Sequence, residues 1–166
     1  MVNATKRATA VQAQVADPSR AQVFLDFFAH RNASDWSAAA ALFTDDAYFV
    51  LNTSNNNVCT YRTPCFGRDS ILQNLQAVDA IQTNRCTRVT SIEVMGDIVT
   101  GRFESRHDAL RRKGIDRILF GFLAQVQDGQ ILSFYIRPDL ADPQTALSQT
   151  GQIVGPPIPT PNPPCG

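Results

Sequence analysis

The spacing of apolar residues changes once along the chain, from a helical period in the first half to alternation in the second. The first predicted helix begins around Pro18, since a proline suits the first turn. Phe24, Leu25 and Phe28 then recur at helical spacing. This helix is therefore predicted to pack one apolar face against a core.

Two more helices are predicted before residue 85. Asp35 can cap a short second helix that carries Trp36, and residues 47–51 then have the β-branched and aromatic content of a strand. Residues 52–64 read as a long polar loop, and the third helix begins at Arg68.

From Cys86 onward the period is two, which predicts antiparallel strands joined by short turns. Glycines at 96, 114 and 129 mark those turns. Because helices come first and strands afterwards, we expect an α+β domain. The strands are predicted over residues 86–95, 97–110, 115–126 and 131–137.

The third of these strands is apolar on both faces and carries phenylalanines at 120 and 122. One face is expected to meet the helices. The other face needs a second cover, because wide exposed apolar patches are rare on monomers. The pattern therefore predicts a homodimer through the outer face of the sheet.

Length and charge restrict the class of protein. The 166 residues suit one domain, expected over residues 18–142, with a flexible segment at 1–17 and a proline-rich tail at 143–166. The formal net charge is zero, and the short basic run at 111–113 reads as a solvated hairpin turn, so no nucleic-acid partner is expected. No apolar run approaches the roughly 20 residues of a spanning helix, so no membrane partner is expected.

The four cysteines, at 59, 65, 86 and 165, fit no zinc-ligand spacing. Disulfides from 59 to 65 and from 86 to 165 are one of three possible pairings, and would indicate an exported protein whose signal peptide was removed. Four reduced thiols in a cytoplasmic protein are an equal alternative. The compartment is therefore left open.

Four short motifs and the order of elements carry a resemblance. They are Asp35-Trp36 at a helix start, Thr44-Asp45-Asp46-Ala47 entering a strand, Phe66-Gly67-Arg68-Asp69 opening a helix, and Asp128-Gly129-Gln130-Ile131 at a hairpin. Over residues 19–142 the chain resembles the nuclear transport factor 2 superfamily, and within it the SnoaL-like branch. The resemblance implies a cone-shaped, cystatin-like α+β barrel, in which a curved antiparallel or mixed sheet cups three N-terminal helices around a pocket.

Proteins of this superfamily include polyketide cyclases, ketosteroid isomerases, scytalone dehydratases and limonene epoxide hydrolases, beside members without catalysis. In the epoxide hydrolases an arginine and an aspartate stand two positions apart on the strand that corresponds to residues 97–110. The resemblance thus implies that Asp108 is the acid/base. It implies that Arg106 orients Asp108 and lowers its pKa. In an enzyme of this kind, His107 or Tyr48 is expected to assist Asp108.

The match to those mechanisms is incomplete. Ile136 occupies the place of the second carboxylate, and the water-holding tyrosine and asparagine fall near Phe49 and Leu51, with Tyr48 and Asn52 adjacent. The general base of the ketosteroid isomerases has no matching carboxylate.

Alternation along the strand supports a second interpretation of the same residues. It places Arg106 and Asp108 on one face and His107 on the other. Without a bulge, His107 faces the pocket, and Arg106 and Asp108 form a surface ion pair that contributes little stability.

Two functions of different classes follow. The first is a cofactor-free enzyme acting by acid/base chemistry on an apolar polyketide-, terpenoid- or steroid-like substrate, as an isomerase, cyclase, dehydratase or epoxide hydrolase. The second is a noncatalytic module that binds an apolar ligand. No metal-ligand cluster, phosphate loop or nucleophile elbow occurs in the sequence, so neither metal nor cofactor is expected. The side chains expected to bind the ligand are Tyr48, Asn52, Phe24, Phe28, Trp36, Phe120, Phe122 and Phe134.

Overall fold

In a computed structural model of the protein, helices cover one face of a curved, unclosed six-stranded sheet. The structure describes residues 18–52, 59–161, 163 and 165. The flexible segment predicted at 1–17, and residues 53–58 of the predicted polar loop, lie outside these. The α+β class predicted from the sequence is confirmed.

The described helices are α1 (Pro18–Asn32), α2 (Trp36–Ala41), α3 (Arg68–Asp79), α4 (Asp108–Arg111) and α5 (Pro143–Ser148). The strands are β1 (Phe43–Leu51), β2 (Cys65–Phe66), β3 (Cys86–Met95), β4 (Ile98–Arg106), β5 (Ile118–Gln127) and β6 (Gln130–Pro138). They lie in the order β2-β1-β6-β5-β4-β3. The sheet is mixed because β1 and β6 pair in parallel while the other neighbours are antiparallel.

Local chemistry explains where the short helices begin. The Asp35 carboxylate accepts a hydrogen bond from the Ala38 amide at 3.0 Å, as expected of an N-cap. Gly67 precedes α3 with a φ of 80°, a backbone conformation that favours glycine. Its amide donates to the Ala47 carbonyl at 2.8 Å, which ties the start of α3 to β1.

Phenylalanine rings fill the space between α1 and the sheet. The Phe24 ring stacks on Phe122 with centroids 5.3 Å apart, and Phe28 lies 4.7 Å from Phe103. Phe134 contacts Phe24 edge-on at 5.2 Å. Burying each ring contributes about 1.5–3 kcal/mol. Together these rings form the part of the core between α1 and the sheet.

Two predicted strand ends are wrong. The strand predicted to reach residue 110 ends at Arg106, and α4 follows it directly. The strand predicted from residue 115 begins at Ile118. Leu110 and Ile115 are buried in the structure, as they would also be in the predicted strands. Their hydrophobicity therefore could not distinguish a short helix and turn from a longer strand.

The segment after β6 packs against the domain. In α5, the Thr145 hydroxyl accepts a hydrogen bond from the Leu119 amide of β5 at 2.8 Å. Residues 151–161, here named the strap, then run beside α4. The Ile158 amide donates to the Arg111 carbonyl at 2.9 Å. Gly155 passes so close to Gly114 that a Cβ atom on Gly114 would lie 2.7 Å from the Gly155 backbone.

The four cysteines form two disulfides, Cys59–Cys65 and Cys86–Cys165, with Cα atoms 4.7 and 5.1 Å apart. This is the pairing that the sequence allowed as one of three. The second bond joins the end of the chain to the first residue of β3. Within the described part of the chain, no helix has the length and apolar character needed to cross a membrane.

Candidate functional site

A cavity of about 250 Å³ lies between the sheet and the ends of the helices. β4 contributes Phe103 and Ser105 to its wall, His107 follows directly after β4, and β5 contributes Ile118 and Phe120. The ends of α1, α3, α5 and β1, together with α4 and the turn after it, complete it. The volume is below the roughly 300–1,000 Å³ of pockets for drug-sized ligands, so the space suits a compact molecule.

His107, between the end of β4 and the start of α4, places an imidazole in this wall. It is 6 % exposed, and its Nδ1 atom is buried with no hydrogen-bond partner among the described residues. Burial, together with the positive charges of Arg85 and Arg111, lowers the pKa of His107 to about 4. The imidazole is therefore neutral at physiological pH and able to accept a proton.

The charged residues of the cavity wall are cationic. Arg31 and Lys113 line the cavity, and none of its described lining residues is Asp or Glu. Behind the wall, a guanidinium nitrogen of Arg85 donates to the Arg31 carbonyl, and the Arg85 guanidinium lies 4.6 Å from the centroid of the Trp36 ring. The environment of His107 is therefore electropositive.

Asp108 does not line the cavity. As the first residue of α4, it directs its carboxylate to the turn before β3 and to the strap, accepting hydrogen bonds from Thr83 at 3.2 Å, Asn84 at 2.6 Å and Thr160. The bond from Thr160 is the main cause that holds the pKa of Asp108 below its usual range. Arg111 lies 3.8 Å away.

Arg106 belongs to the opposite face of the sheet. Its guanidinium lies 3.6 Å from both Glu104 and Asp116, and not beside Asp108. The alternation of β4 continues through His107 without a bulge at this end, as the second sequence interpretation describes. Thus Arg106, His107 and Asp108, expected as one constellation, point to three different surroundings.

Of the eight residues expected to bind ligand, Phe120 lines the cavity. Phe24, Phe28, Phe122 and Phe134 pack in the core. Trp36 is buried beneath Arg85. The four phenylalanine rings pack in the core and Trp36 packs against Arg85, and none of these five side chains lines the cavity.

Tyr48 and Asn52 lie on the outer side of the sheet. The Tyr48 ring stacks on Tyr135 at 5.9 Å, and a hydrogen bond with Tyr135 raises the pKa of Tyr48. Asn52 lines a groove of about 710 Å³ on that side, together with Arg102 and Leu123.

Several cavity residues were not singled out by the sequence. Phe103 and Ser105 share the strand parity of His107 and could have been found from alternation. Lys113 could not, because the basic run expected as a solvated hairpin turn is the buried helix α4 and its end, where Arg111 is 2 % exposed. Ser148 of α5 could not have been found either, because residues 143–166 were expected to form a tail outside the domain.

Residues 18–52 and 59–161 contain no group of three or more His, Cys, Asp or Glu side chains that could hold a metal ion. The polar side chains in the described cavity wall are the His107 imidazole, the two cations, the hydroxyls of Ser105 and Ser148, and the amides of Gln82 and Gln149.

Known structures share this fold. IdmH from Streptomyces antibioticus, described as a candidate polyketide cyclase, is 21% identical over 80% of this chain and 98% of its own, with a TM-score of 0.63. A ketosteroid isomerase-like protein from Catenulispora acidiphila, in complex with trimethylamine, is 19% identical over 79% of this chain and 93% of its own, with a TM-score of 0.59. TerC co-crystallised with polyporic acid is 14% identical over 74% and 93%, with a TM-score of 0.61. No protein-family model and no curated protein matches the sequence.

Proposed function

We propose that this protein, which has the nuclear transport factor 2-like fold, is a cofactor-free isomerase or cyclase whose acid/base group is His107. One observation carries the proposal: a neutral imidazole lines the cavity, and its buried Nδ1 atom has no hydrogen-bond partner among the described residues. Buried polar atoms are almost always satisfied, so an exception in a cavity wall marks a candidate site.

The chemistry that fits this wall is proton abstraction beside a carbonyl group. The imidazole accepts the proton, and the electron pair of the broken C–H bond becomes an enolate. Arg31 and Lys113 stabilise the negative oxygen, as cations in a water-poor site do. Return of the proton to another carbon completes an isomerisation. Attack of the enolate on a second carbonyl, with the proton passing to the new alkoxide, completes a cyclisation.

The size of the cavity narrows the substrate class. About 250 Å³ with walls of Phe103, Ile118 and Phe120 suits a small aromatic or terpenoid-sized molecule better than a steroid. The neighbouring structures do not dictate its charge, since one holds trimethylamine, an amine, and another polyporic acid.

Turnover tests the assignment of His107. Compact 1,3-dicarbonyl compounds, cyclic epoxides and an unsaturated ketosteroid are assayed with the wild type, His107→Gln and His30→Gln. His30 is the other histidine and is 39% exposed on α1, which makes it a matched control. We expect at least ~100-fold loss for His107→Gln, typical of a lost general base, and none for His30→Gln. Full activity in a folded His107→Gln protein would remove the proposal.

A noncatalytic binding module is the second candidate. The observation in its favour is that none of the described lining residues is a carboxylate, the usual acid/base partner in the resembling enzymes. Ligand binding without turnover of any compound in the panel, by the wild type as well, is the outcome that supports it.

The proposal includes a homodimer through the outer face of the sheet. Leu123 and Tyr135 stand on that face with 53% and 39% of their surface exposed. Both line the outer groove, where Arg102 and Asp139 supply polar groups at the edge. An apolar centre with a charged rim is the usual composition of a specific interface.

A further inference from the structure

We infer that the cavity selects an apolar molecule that carries one negative charge, a carboxylate or an acidic enol, and that Lys113 and Arg31 hold this charge. The inference deepens the proposed function and rests on it, since both require the cavity to be the ligand site. It goes further by assigning the charge of the ligand and the residues that recognise it.

The first support is the composition of the wall. Its described lining residues include two cations and no carboxylate, while the rest is apolar or uncharged. Lys113 makes no ion pair among the described residues, although carboxylates at other places on the chain are paired with arginine. Lys113 is half-buried in this wall, so its charge is available to pair with an anion bound in the cavity.

The second support is Arg111, directly behind the wall on α4. Its side chain is 2% exposed, and its three guanidinium nitrogens have no hydrogen-bond acceptor among the described residues. Its ion-pair partner, Asp108, is 3.8 Å away and already accepts hydrogen bonds from Thr83, Asn84 and Thr160. The Arg111 charge is therefore incompletely neutralised and adds a positive field at the cavity.

The same field links ligand charge to catalysis. Arg85 and Arg111 help keep the His107 ring neutral in the empty cavity. A bound anion beside the ring opposes these charges and raises the pKa of His107 toward neutrality, where an imidazole is a more effective base. A negatively charged substrate would thus improve the base that acts on it.

Three probes of one shape test the inference by isothermal titration calorimetry. They are 2-naphthoate, its neutral analogue 2-naphthamide, and the cationic naphthalene-2-carboxamidine. We expect 2-naphthoate to bind at least roughly tenfold more tightly than the amide, as a charge-assisted hydrogen bond provides. We expect the amidine to bind most weakly.

Two variants distinguish the effect of the Lys113 charge from the effect of the other positive charges near α4. Lys113→Met keeps an unbranched side chain that is one atom shorter and removes its charge. Arg112→Met removes the neighbouring cation, which is exposed and does not line the cavity. We expect Lys113→Met to lower the affinity for 2-naphthoate about tenfold and to leave 2-naphthamide unchanged, while Arg112→Met leaves both affinities unchanged.

The outcomes distinguish the two proposals. Equal affinity for the anion and the amide, tightest binding of the amidine, or a Lys113→Met protein that binds 2-naphthoate normally would overturn the charge assignment and leave the role of His107 standing. Failure of all three probes to bind would overturn both. Anion selectivity with full turnover by His107→Gln would remove the catalytic role alone.

Discussion

The side chains of His107 and Asp108, adjacent in the sequence, point in different directions at the junction between β4 and α4. The imidazole of His107 lines the cavity, whereas the Asp108 carboxylate binds Thr83, Asn84 and Thr160 outside it. Extended backbone at His107 followed by the first turn of α4 separates them. This separation supports the proposed acid/base role of His107 and indicates that Asp108 attaches the strap.

Stability should depend on pH through His107. The pKa of about 4 in the folded protein lies below the ~6.5 of the unfolded chain, so the unfolded state binds more protons between these values. The free energy of unfolding should fall by about 3 kcal/mol as the pH drops from 7 to 4. Urea unfolding of the wild type and His107→Gln at several pH values measures this. The variant should lack the slope, and an equal slope in both proteins would contradict the assignment.

Asp108→Asn should loosen the strap and spare turnover. The amide removes the charge that faces buried Arg111 and weakens hydrogen bonds from Asn84 and Thr160, for an expected loss of about 1–3 kcal/mol. Because the folded pKa of Asp108 is depressed, its contribution is present above the unfolded pKa near ~3.9 and is lost as the pH falls through the folded pKa. Chemical unfolding measures the loss, with Asp46→Asn, at an exposed position, as control. Turnover reduced as far as in His107→Gln would return Asp108 to the catalytic machinery.

The two disulfides should differ in their effect on stability. The chain-entropy model predicts about 4 kcal/mol for Cys86–Cys165, which spans 79 residues, and about 2 kcal/mol for Cys59–Cys65, which spans 6. Thermal unfolding of Cys86→Ser/Cys165→Ser and Cys59→Ser/Cys65→Ser double variants gives the comparison. A larger loss for the short bridge would show that the strap contributes little to the folded state.

Leu123→Glu should convert the proposed homodimer to a monomer. A carboxylate in the apolar centre of the outer face would be desolvated without a partner. Sedimentation velocity of the wild type and the variant measures the change, and 2-naphthoate affinity should persist because Leu123 does not line the cavity. A wild type that sediments as a monomer at high concentration contradicts the homodimer directly.

Local patterns determined much of the fold. Helical spacing around Phe24 and Phe28, the cap at Asp35, and the glycine turns at 96 and 129 lie where the sequence predicted them. These features succeed because they depend on neighbouring residues. Alternation also indicated that His107 and Asp108 could not share a face.

The sequence by itself therefore determined the order of the first three helices and the long strands, the turns at Gly96 and Gly129, and the alternation along β4. Only the tertiary structure decided which polar groups surround the cavity. Asp108 turns to Thr160, which is 52 residues away, and Cys86 bonds to Cys165, 79 residues away. Buried Arg111 and cavity-lining Lys113 look like an ordinary basic turn in the sequence. Their role depends on long-range packing of α4 against the strap and β4, which no local spacing of residues encodes.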